Sequence, residues 1–529
     1  MEAGYHQGLY TIKTEGSWLI TLLANNGAGG DLRIFFLICP KPLMEYYDFV
    51  IIGAGLSGID AAYRLKTTLP ECSYIILEAR QLIGGTWDFF NYPGIRSDSD
   101  LLLYGLPWRL WSGKKGIADG ASIRQYLEDA AHSEGIDEKI RFRHKVTAAN
   151  WASDAQQWTL DVDASGAKKQ FRAHWVISCA GFYDYDTPLQ TEIPGIDNFR
   201  GTVVHPQFWP SDLDWSGKRV IIIGSGATAV TLLPELAKTA GHVTMLQRSP
   251  SYVFSIASTS SEPRLLKRFL PAWLVMQIRW WLAFITETLF VQFLLKFPNM
   301  GRKLVMDSMR KQVPAKFPVD VHFNPRYFPF EQRLCLCPDG DFFQALHQDN
   351  CNVVTSSIRT VTDDGIMTES GEKLGADIII TATGLHFLLF GGLTPTLDGK
   401  PVDIGRSFAW RGLMLSGVPN MCWILGYTTG SWTAGADATI KMLIRVYKHM
   451  RKVGATSAVP HHDEEDLALS KPLMAHSSTY HVKAQGRLPR IKRESPWYGR
   501  SNAVFDNLML WFGSVTTKMT YIIPGKKSQ

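Results

Sequence analysis

The seven cysteines, Cys39, Cys72, Cys179, Cys335, Cys337, Cys351 and Cys422, include no C-x-x-C pair and no Cys/His cluster at zinc spacing. Their odd number and wide spacing argue against a disulfide framework, a structural metal and a redox-active dithiol, and leave packed thiols in a reducing compartment as the expectation. Charge of one sign is scarce: a net +6 over 529 residues, with Lys and Arg scattered, leaves no nucleic-acid footprint. The densest basic cluster, Arg487, Arg490, Lys492 and Arg493, is broken by Pro489 and reads as a solvated loop. Long apolar runs are missing near the N-terminus, where residues 18–24 and 34–39 are apolar but separated by Asn25, Asn26, Asp31 and Arg33. Neither is long enough to span a bilayer, and Lys13 offset by Glu2 and Glu15 is a poor secretory n-region. Residues 1–43 are therefore expected to be an extension peripheral to the fold, because Met44 directly precedes the first clear strand pattern. A cytoplasmic location is expected, with membrane association as the second reading.

Against these absences stand two glycine-rich turns, each placed between an apolar strand pattern and a helix pattern. Residues 47–52 run into Gly53-Ala-Gly55-Leu-Ser-Gly58, followed by helical periodicity over 59–66. Glycines there allow a tight turn, close backbone approach and close helix–strand packing, while the helix N-terminus faces a pyrophosphate. The next strand pattern, 73–77, ends at Glu78, where a carboxylate accepts hydrogen bonds from a ribose and repels a 2′-phosphate. This first site suits FAD or NAD.

The second unit runs from residues 218–223 into Gly224-Ser225-Gly226-Ala227-Thr228-Ala229, with Ala in place of the third glycine. Its second strand pattern, 242–246, is followed by Gln247 and Arg248, and a guanidinium there pairs with a 2′-phosphate. Opposite charges at the two ribose positions imply two different cofactors, with FAD first and NADPH second as the economical assignment. Each unit is followed by a β-hairpin pattern that leads to small residues. Residues 158–163 and 171–177 lead to Ala180 and Gly181, and residues 366–368 and 374–380 lead to Thr383 and Gly384; both corners should return the chain to a nucleotide site.

The fold expected is α/β, with two Rossmann-like dinucleotide-binding domains and a helical insertion in the second. The FAD domain is discontinuous, 44–199 and 385–529, with a helix over 434–450 completing it. The NADPH domain is 200–384, with the insertion at about 262–316. Residues 268–296 are rich in Trp, Phe and Leu, but Arg279 and Glu287 interrupt them, so no window reaches the roughly 18 apolar residues of a spanning helix. A helix partly buried against the domain or a partner subunit is expected, in preference to one lying in a membrane interface, and either arrangement suits the wall of an apolar substrate pocket.

Between the two units, residues 199–210 read F-x-G-x-x-x-H-x-x-x-W-P through Phe199, Gly201, His205 and Trp209. A second long pattern is met by Gly84, Gly85, Trp87, Tyr92, Pro93, Gly94 and Asp98. From about residue 47 onward the chain resembles the class B flavoprotein monooxygenases, and within them the Baeyer–Villiger monooxygenases; residues 93–98, 225–230 and 330–335 look most like the ethionamide-activating branch. The resemblance implies that NADPH reduces FAD, that reduced flavin captures molecular oxygen as a C4a peroxide, and that an apolar ketone becomes an ester or lactone. It implies Arg333 as the active-site cation, Asp98 as its partner near the flavin, and Trp87 among the cofactor contacts. Many relatives have Lys before that arginine, where this chain has Gln332, which bears on affinity for the 2′-phosphate. His205 and Trp209 are read as domain-linking residues rather than chemical ones.

An S- or N-oxygenase is the alternative, since softer substrates need only a neutral oxygen donor, and a redox-inactive FAD-binding interaction protein is a remote third. The missing cysteine pair disfavours a flavin disulfide reductase. No metal is expected; molecular oxygen and an apolar small molecule are the expected partners.

Overall fold

The computed structural model describes residues 8–13, 18–26, 32–40, 44–259, 268–332, 334–427, 430–462, 470–473, 485–499 and 503–525. Arg333, the cation expected at the active site, and residues 262–267 of the expected insertion lie outside the described residues.

The apolar run before the first glycine turn forms the strand Glu45–Ile52, whose last four residues are buried. A strand covered on both faces needs a continuous apolar run rather than alternation. It pairs in parallel with Tyr74–Leu77 on one side and Ala167–Ser178 on the other. The twelve-residue strand Ala167–Ser178 also turns back on Gln157–Ala164 in the expected antiparallel hairpin. Ser165 and Gly166, at φ +56° and +90°, supply the left-handed pair that a two-residue hairpin turn requires. One nine-stranded sheet thus joins the dinucleotide-type strands to a β-meander.

The second sheet holds five parallel strands in the order Thr202–Val204, Ile378–Thr381, Arg219–Ile223, His242–Gln247 and Cys351–Thr355. Here one expectation is corrected. Residues 374–380 are not one arm of a hairpin: Lys373–Gly375 pairs antiparallel with Gly365–Thr368, and the chain then turns into Ile378–Thr381, a parallel strand of the other sheet. The redirection has a visible cause. Ala376 N–H donates to the Asp364 carbonyl at 3.0 Å, and the Asp377 carboxylate accepts the Arg219 backbone N–H at 2.8 Å and its guanidinium at 2.7 Å. Strand periodicity continues through this corner, so the sequence pattern alone does not mark it.

The helix Trp432–Lys452 lies on the first dinucleotide helix, Leu56–Thr68, through Arg64–Asp437 at 2.6 Å and Trp432 Nε1 donating to Ser57 Oγ at 3.0 Å. The expected return of the C-terminal region to the first unit takes this form. Residues 8–40 form three antiparallel strands, Gly8–Lys13, Trp18–Asn26 and Leu32–Pro40, which among the described residues pair only with one another.

The insertion contains the helices Ala272–Lys296 and Pro298–Arg310, separated at Phe297, with Pro298 suited to open the second because its missing N–H needs no partner there. The expected interruption by Arg279 and Glu287 is corrected: by length and composition, Ala272–Lys296 is apolar enough to cross a membrane. Arg279 and Glu287 inside so long an apolar helix, with Lys296 at its end, do not lower its hydropathy enough to break the pattern. Its expected burial is also limited, since Val275, Val291 and Leu294 are buried while Trp273 and Leu289 are 67% and 65% exposed.

Within the first core, Asp60 is fully buried. Its Oδ1 accepts the Trp108 indole N–H at 3.0 Å, and its Oδ2 has no partner among the described residues. Burial, with Asp437 adding to it and Arg64 opposing it, holds the Asp60 pKa well above the ordinary carboxylate range. The folded chain therefore binds a proton that the unfolded chain gives up above about pH 4, so this residue's contribution falls as pH rises from there toward its raised pKa. Asp60→Asn is expected to gain Tm relative to the native chain as pH goes from about 5 to about 8 in thermal unfolding. A Tm difference that stays constant with pH would contradict this.

Candidate functional site

The first glycine turn is fixed by backbone crowding. A Cβ on Gly53, at φ +104°, would lie 2.7 Å from the Cys179 carbonyl oxygen, and one on Gly58 would lie 1.9 Å from the Gly53 carbonyl oxygen. Gly55 differs, since its nearest neighbour would be Gly85 Cα at 3.6 Å; it opens the helix without a side-chain cap and lines a large cavity. Helix N–H groups without a cap suit an anion.

Glu78 is buried at the end of its strand, with Oε2 accepting the Ala54 N–H at 2.6 Å and Oε1 the Arg80 N–H at 2.8 Å. Burial raises its pKa, against the lowering effect of those two N–H groups. The acid that the sequence assigned to a ribose thus also ties the strand end to the glycine turn. Trp87 lines the same cavity and donates its indole N–H to the Tyr104 hydroxyl at 3.0 Å. Nearby, Asp88 pairs with Arg80 at 2.6 Å and with Arg124 at 3.4 Å.

The second turn repeats the design. A Cβ on Gly224, at φ +136°, would lie 2.3 Å from the Ala382 carbonyl oxygen, whereas a Cβ on Gly226 would meet nothing within 4 Å. Gly226 is the uncapped start of the helix Ala227–Leu236. Ser225 Oγ is held by the Ser249 carbonyl at 3.0 Å and Ser251 Oγ at 2.9 Å, and Ser225, Ala227, Thr228 and Arg248 all line the cavity. Arg248 is exposed and makes no ion pair among the described residues, while Gln247 is buried and committed to His322 O at 2.7 Å and Thr355 Oγ1 at 2.9 Å. The sequence paired these two; the structure leaves only the arginine available to a ligand.

Ala180, Gly181, Thr383 and Gly384 line the cavity where the chain passes between the two sheets. Just beyond them, residues 182–186 and 384–388 run antiparallel, with Asp184 N–H donating to His386 O at 2.9 Å and Leu388 N–H to Phe182 O at 2.9 Å. Asp184 pairs with His386 Nδ1 at 3.0 Å, and its carboxyl is held below its ordinary pKa by that pair and by the Asp186 and Thr187 N–H groups, against the opposing effect of burial. Gln207, buried inside the 199–210 segment, donates to the Asp184 carbonyl at 2.8 Å. Sequence reasoning missed Asp184, Gln207 and His386, and no local pattern marks them.

The four fingerprint residues fall around this crossing. Phe199 and Trp209 are buried, Trp209 edge-on to Trp215 at 5.9 Å, and a Cβ on Gly201 would lie 2.4 Å from the Asp377 carbonyl oxygen. His205 Nδ1 accepts the Gln207 N–H at 3.2 Å. Burial lowers the His205 pKa, opposed in part by the Gly384 backbone. None of the four lines the cavity.

That cavity measures about 2080 Å³ and is continuous from the first turn to the second. Pockets for a single small molecule span roughly 300–1,000 Å³, so this one has room for two dinucleotides and a substrate. Asp98 lines it together with Tyr104, Gln332 and Leu334. Its apolar wall includes Leu282, Ala283, Phe290 and Val291 of the inserted helix, and among them Glu287, an acid that sequence reasoning treated only as an interruption.

A flavin-binding monooxygenase-like family model matches residues 117–289, and one for an NAD(P)-binding Rossmann-like domain matches residues 51–109. The chain is 44% identical over 474 residues to the FAD-containing monooxygenase EthA of Mycolicibacterium smegmatis, covering 89% of this chain and 96% of that protein. It is 38% identical over 469 residues to the probable FAD-binding monooxygenase AlmA of Acinetobacter baylyi, covering 88% and 94%. In fold it is similar to an oxidized steroid monooxygenase bound to NADP, with TM-score 0.70, 19% identity and coverage of 90% and 100%. An OTEMO complex with FAD and NADP is similar at TM-score 0.67 and 21% identity, with coverage of 88% and 97%. Two dinucleotide-type turns opening on one apolar chamber, together with these relatives, define a flavoprotein monooxygenase. The chain belongs to the family of FAD-containing monooxygenases.

The two glycines of the second turn give a direct check on the geometry. Gly224→Ala is expected to cost about 2 kcal/mol or more, through a forbidden φ and a backbone clash. Gly226→Ala, at an ordinary φ in open space, should leave thermal unfolding unchanged. Equal destabilisation of both variants would contradict the assignment.

Proposed function

We propose that the chain inserts one oxygen atom from molecular oxygen beside the carbonyl of an apolar ketone, giving an ester or lactone, with FAD at the first glycine turn and NADPH at the second. The observation that carries the reading is the single cavity that meets both turns, Asp98 and an apolar wall. The residues fit both cofactors. Gly53 and Gly55 bring bare backbone to the first pyrophosphate and Gly58 lets the helix pack close behind them, with Glu78, Trp87, Asp98, Ala180 and Gly181 around the rest of FAD. Gly224, Ser225, Gly226, Ala227 and Thr228 do the same for NADPH, with Thr383 and Gly384 at the corner beside them, and the open space at Gly226 is where a second pyrophosphate would approach. Bound flavin supplies hydride acceptance and oxygen activation, which no side chain of this protein provides.

The protein's own residues do the rest. Arg248 pairs with the 2′-phosphate and selects NADPH over NADH. The apolar wall excludes water from the reacting groups, which strengthens every charge interaction inside. Arg333 is the fixed cation that would hold activated, anionic oxygen against protonation and loss in a dry site, a task suited to a guanidinium because it stays charged in an apolar pocket. Asp98 orients that arginine. Phe199, Gly201, His205 and Trp209 link the two domains: the 199–210 segment is anchored through Gln207 to the crossing strands and so couples their movement.

Product analysis tests this reading. The holoenzyme with NADPH, oxygen and a panel of apolar ketones should yield esters or lactones one oxygen atom heavier than the substrates. Oxidation of sulfides or amines with no ester from any ketone would assign the chain to the S- or N-oxygenases instead. Arg333→Ala is expected to abolish ester formation with little change in Tm, and undiminished product would refute its role. Arg248→Gln should raise KM for NADPH about tenfold, about 1.4 kcal/mol, and leave NADH kinetics unchanged; an equal effect on both would remove Arg248 from the 2′-phosphate.

A further inference from the structure

The helix Ala272–Lys296 presents Trp273, Trp281, Ile285 and Leu289 to the outside, yet Glu287 turns the other way, into the cavity. Its position is built. Oε1 accepts the Ser431 backbone N–H at 3.1 Å, and Ser431 Oγ donates to the Leu103 carbonyl at 2.7 Å. The acid is thereby tied both to the start of the helix Trp432–Lys452 and to the short helix Leu101–Tyr104, which follows Asp98. Leu282, Ala283, Phe290 and Leu103 make the surrounding wall apolar.

The charges around Glu287 favour its neutral form. Asp98 and Asp100 act on it from the segment preceding Leu101–Tyr104, while Tyr104 and Tyr427 are the titratable groups on the adjoining helix and loop, and Arg279 shares its own helix. Burial first, then Asp100 and Asp98, bring its pKa up to about 7 against the lowering effect of the Ser431 N–H. A neutral carboxyl offers one O–H donor, whereas an ionised one only accepts. Set among apolar side chains, such a donor is a recognition element, because a polar group left unmatched away from water costs more than one on the surface.

We propose that Glu287 is a specificity-determining residue whose protonated carboxyl donates a hydrogen bond to a second oxygen of the substrate that can only accept, an ether or carbonyl oxygen apart from the reacting ketone. The chamber then selects ketones that carry one further acceptor oxygen on an apolar body. This inference rests on the ketone-oxidising reading above.

The test compares a methoxyketone with the ketone in which a methylene replaces its ether oxygen, measuring KM, kcat and, by quenching of protein fluorescence in oxidised holoenzyme, Kd. Near pH 6 the native enzyme should favour the methoxyketone about tenfold in KM and Kd, and near pH 8.5 the preference should vanish as Glu287 ionises and can no longer donate. Glu287→Gln, which keeps a donor that does not titrate, should hold the preference at both pH values. Glu287→Leu should lose it at both. A preference that survives Glu287→Leu, or a pH dependence that persists in Glu287→Gln, would overturn the proposal, as would oxidation of both ketones with no preference at any pH. If neither ketone is oxidised by the native enzyme, the ketone-oxidising reading fails, and this proposal with it.

Discussion

One backbone contact, made twice, organises the molecule. At each dinucleotide turn a strand ends in small residues whose carbonyl lies where a side chain on the first glycine would be, Cys179 O against Gly53 and Ala382 O against Gly224. Only a residue without Cβ permits that approach at positive φ. Because the crowded strand ends continue directly into residues 182–186 and 384–388, the contact also fixes where the chain crosses between the two sheets.

This arrangement gives the 199–210 segment a physical meaning. Its most recognisable residues do not reach the cavity; Gln207, which no fingerprint includes, makes the bond to Asp184 that joins the segment to the crossing strands. His205 shapes the same corner by accepting the Gln207 N–H. The segment is thus fastened to the crossing strands, apart from the residues that line the chamber.

Much of the fold was legible because strand, glycine turn and helix impose local chemistry that cannot be disguised. Glu78 and Arg248 were visible because they end strands at a fixed distance from such turns. The path through Ala376 and Asp377 was not, since a hairpin arm and a parallel core strand share one apolar run and differ only in what Asp377 and Asp364 hold. Glu287 was legible as an acid in an apolar helix, but its inward direction depends on Ser431, far away in sequence. The exposure of Trp273 and Leu289 on the same helix was equally hidden, because apolar residues spread all round a helix do not tell which face is covered. Asp60 and the Asp184–His386 pair are likewise products of tertiary packing.

The central claim is that one chamber brings a nicotinamide cofactor bound at the second turn within reach of a flavin bound at the first. Anaerobic rapid mixing of the holoenzyme with one equivalent of NADPH measures this directly through the flavin absorbance. The account predicts full bleaching by NADPH and much slower bleaching by NADH, followed by recovery of the oxidised spectrum when oxygen is admitted. A flavin that remains oxidised in the presence of NADPH would contradict it.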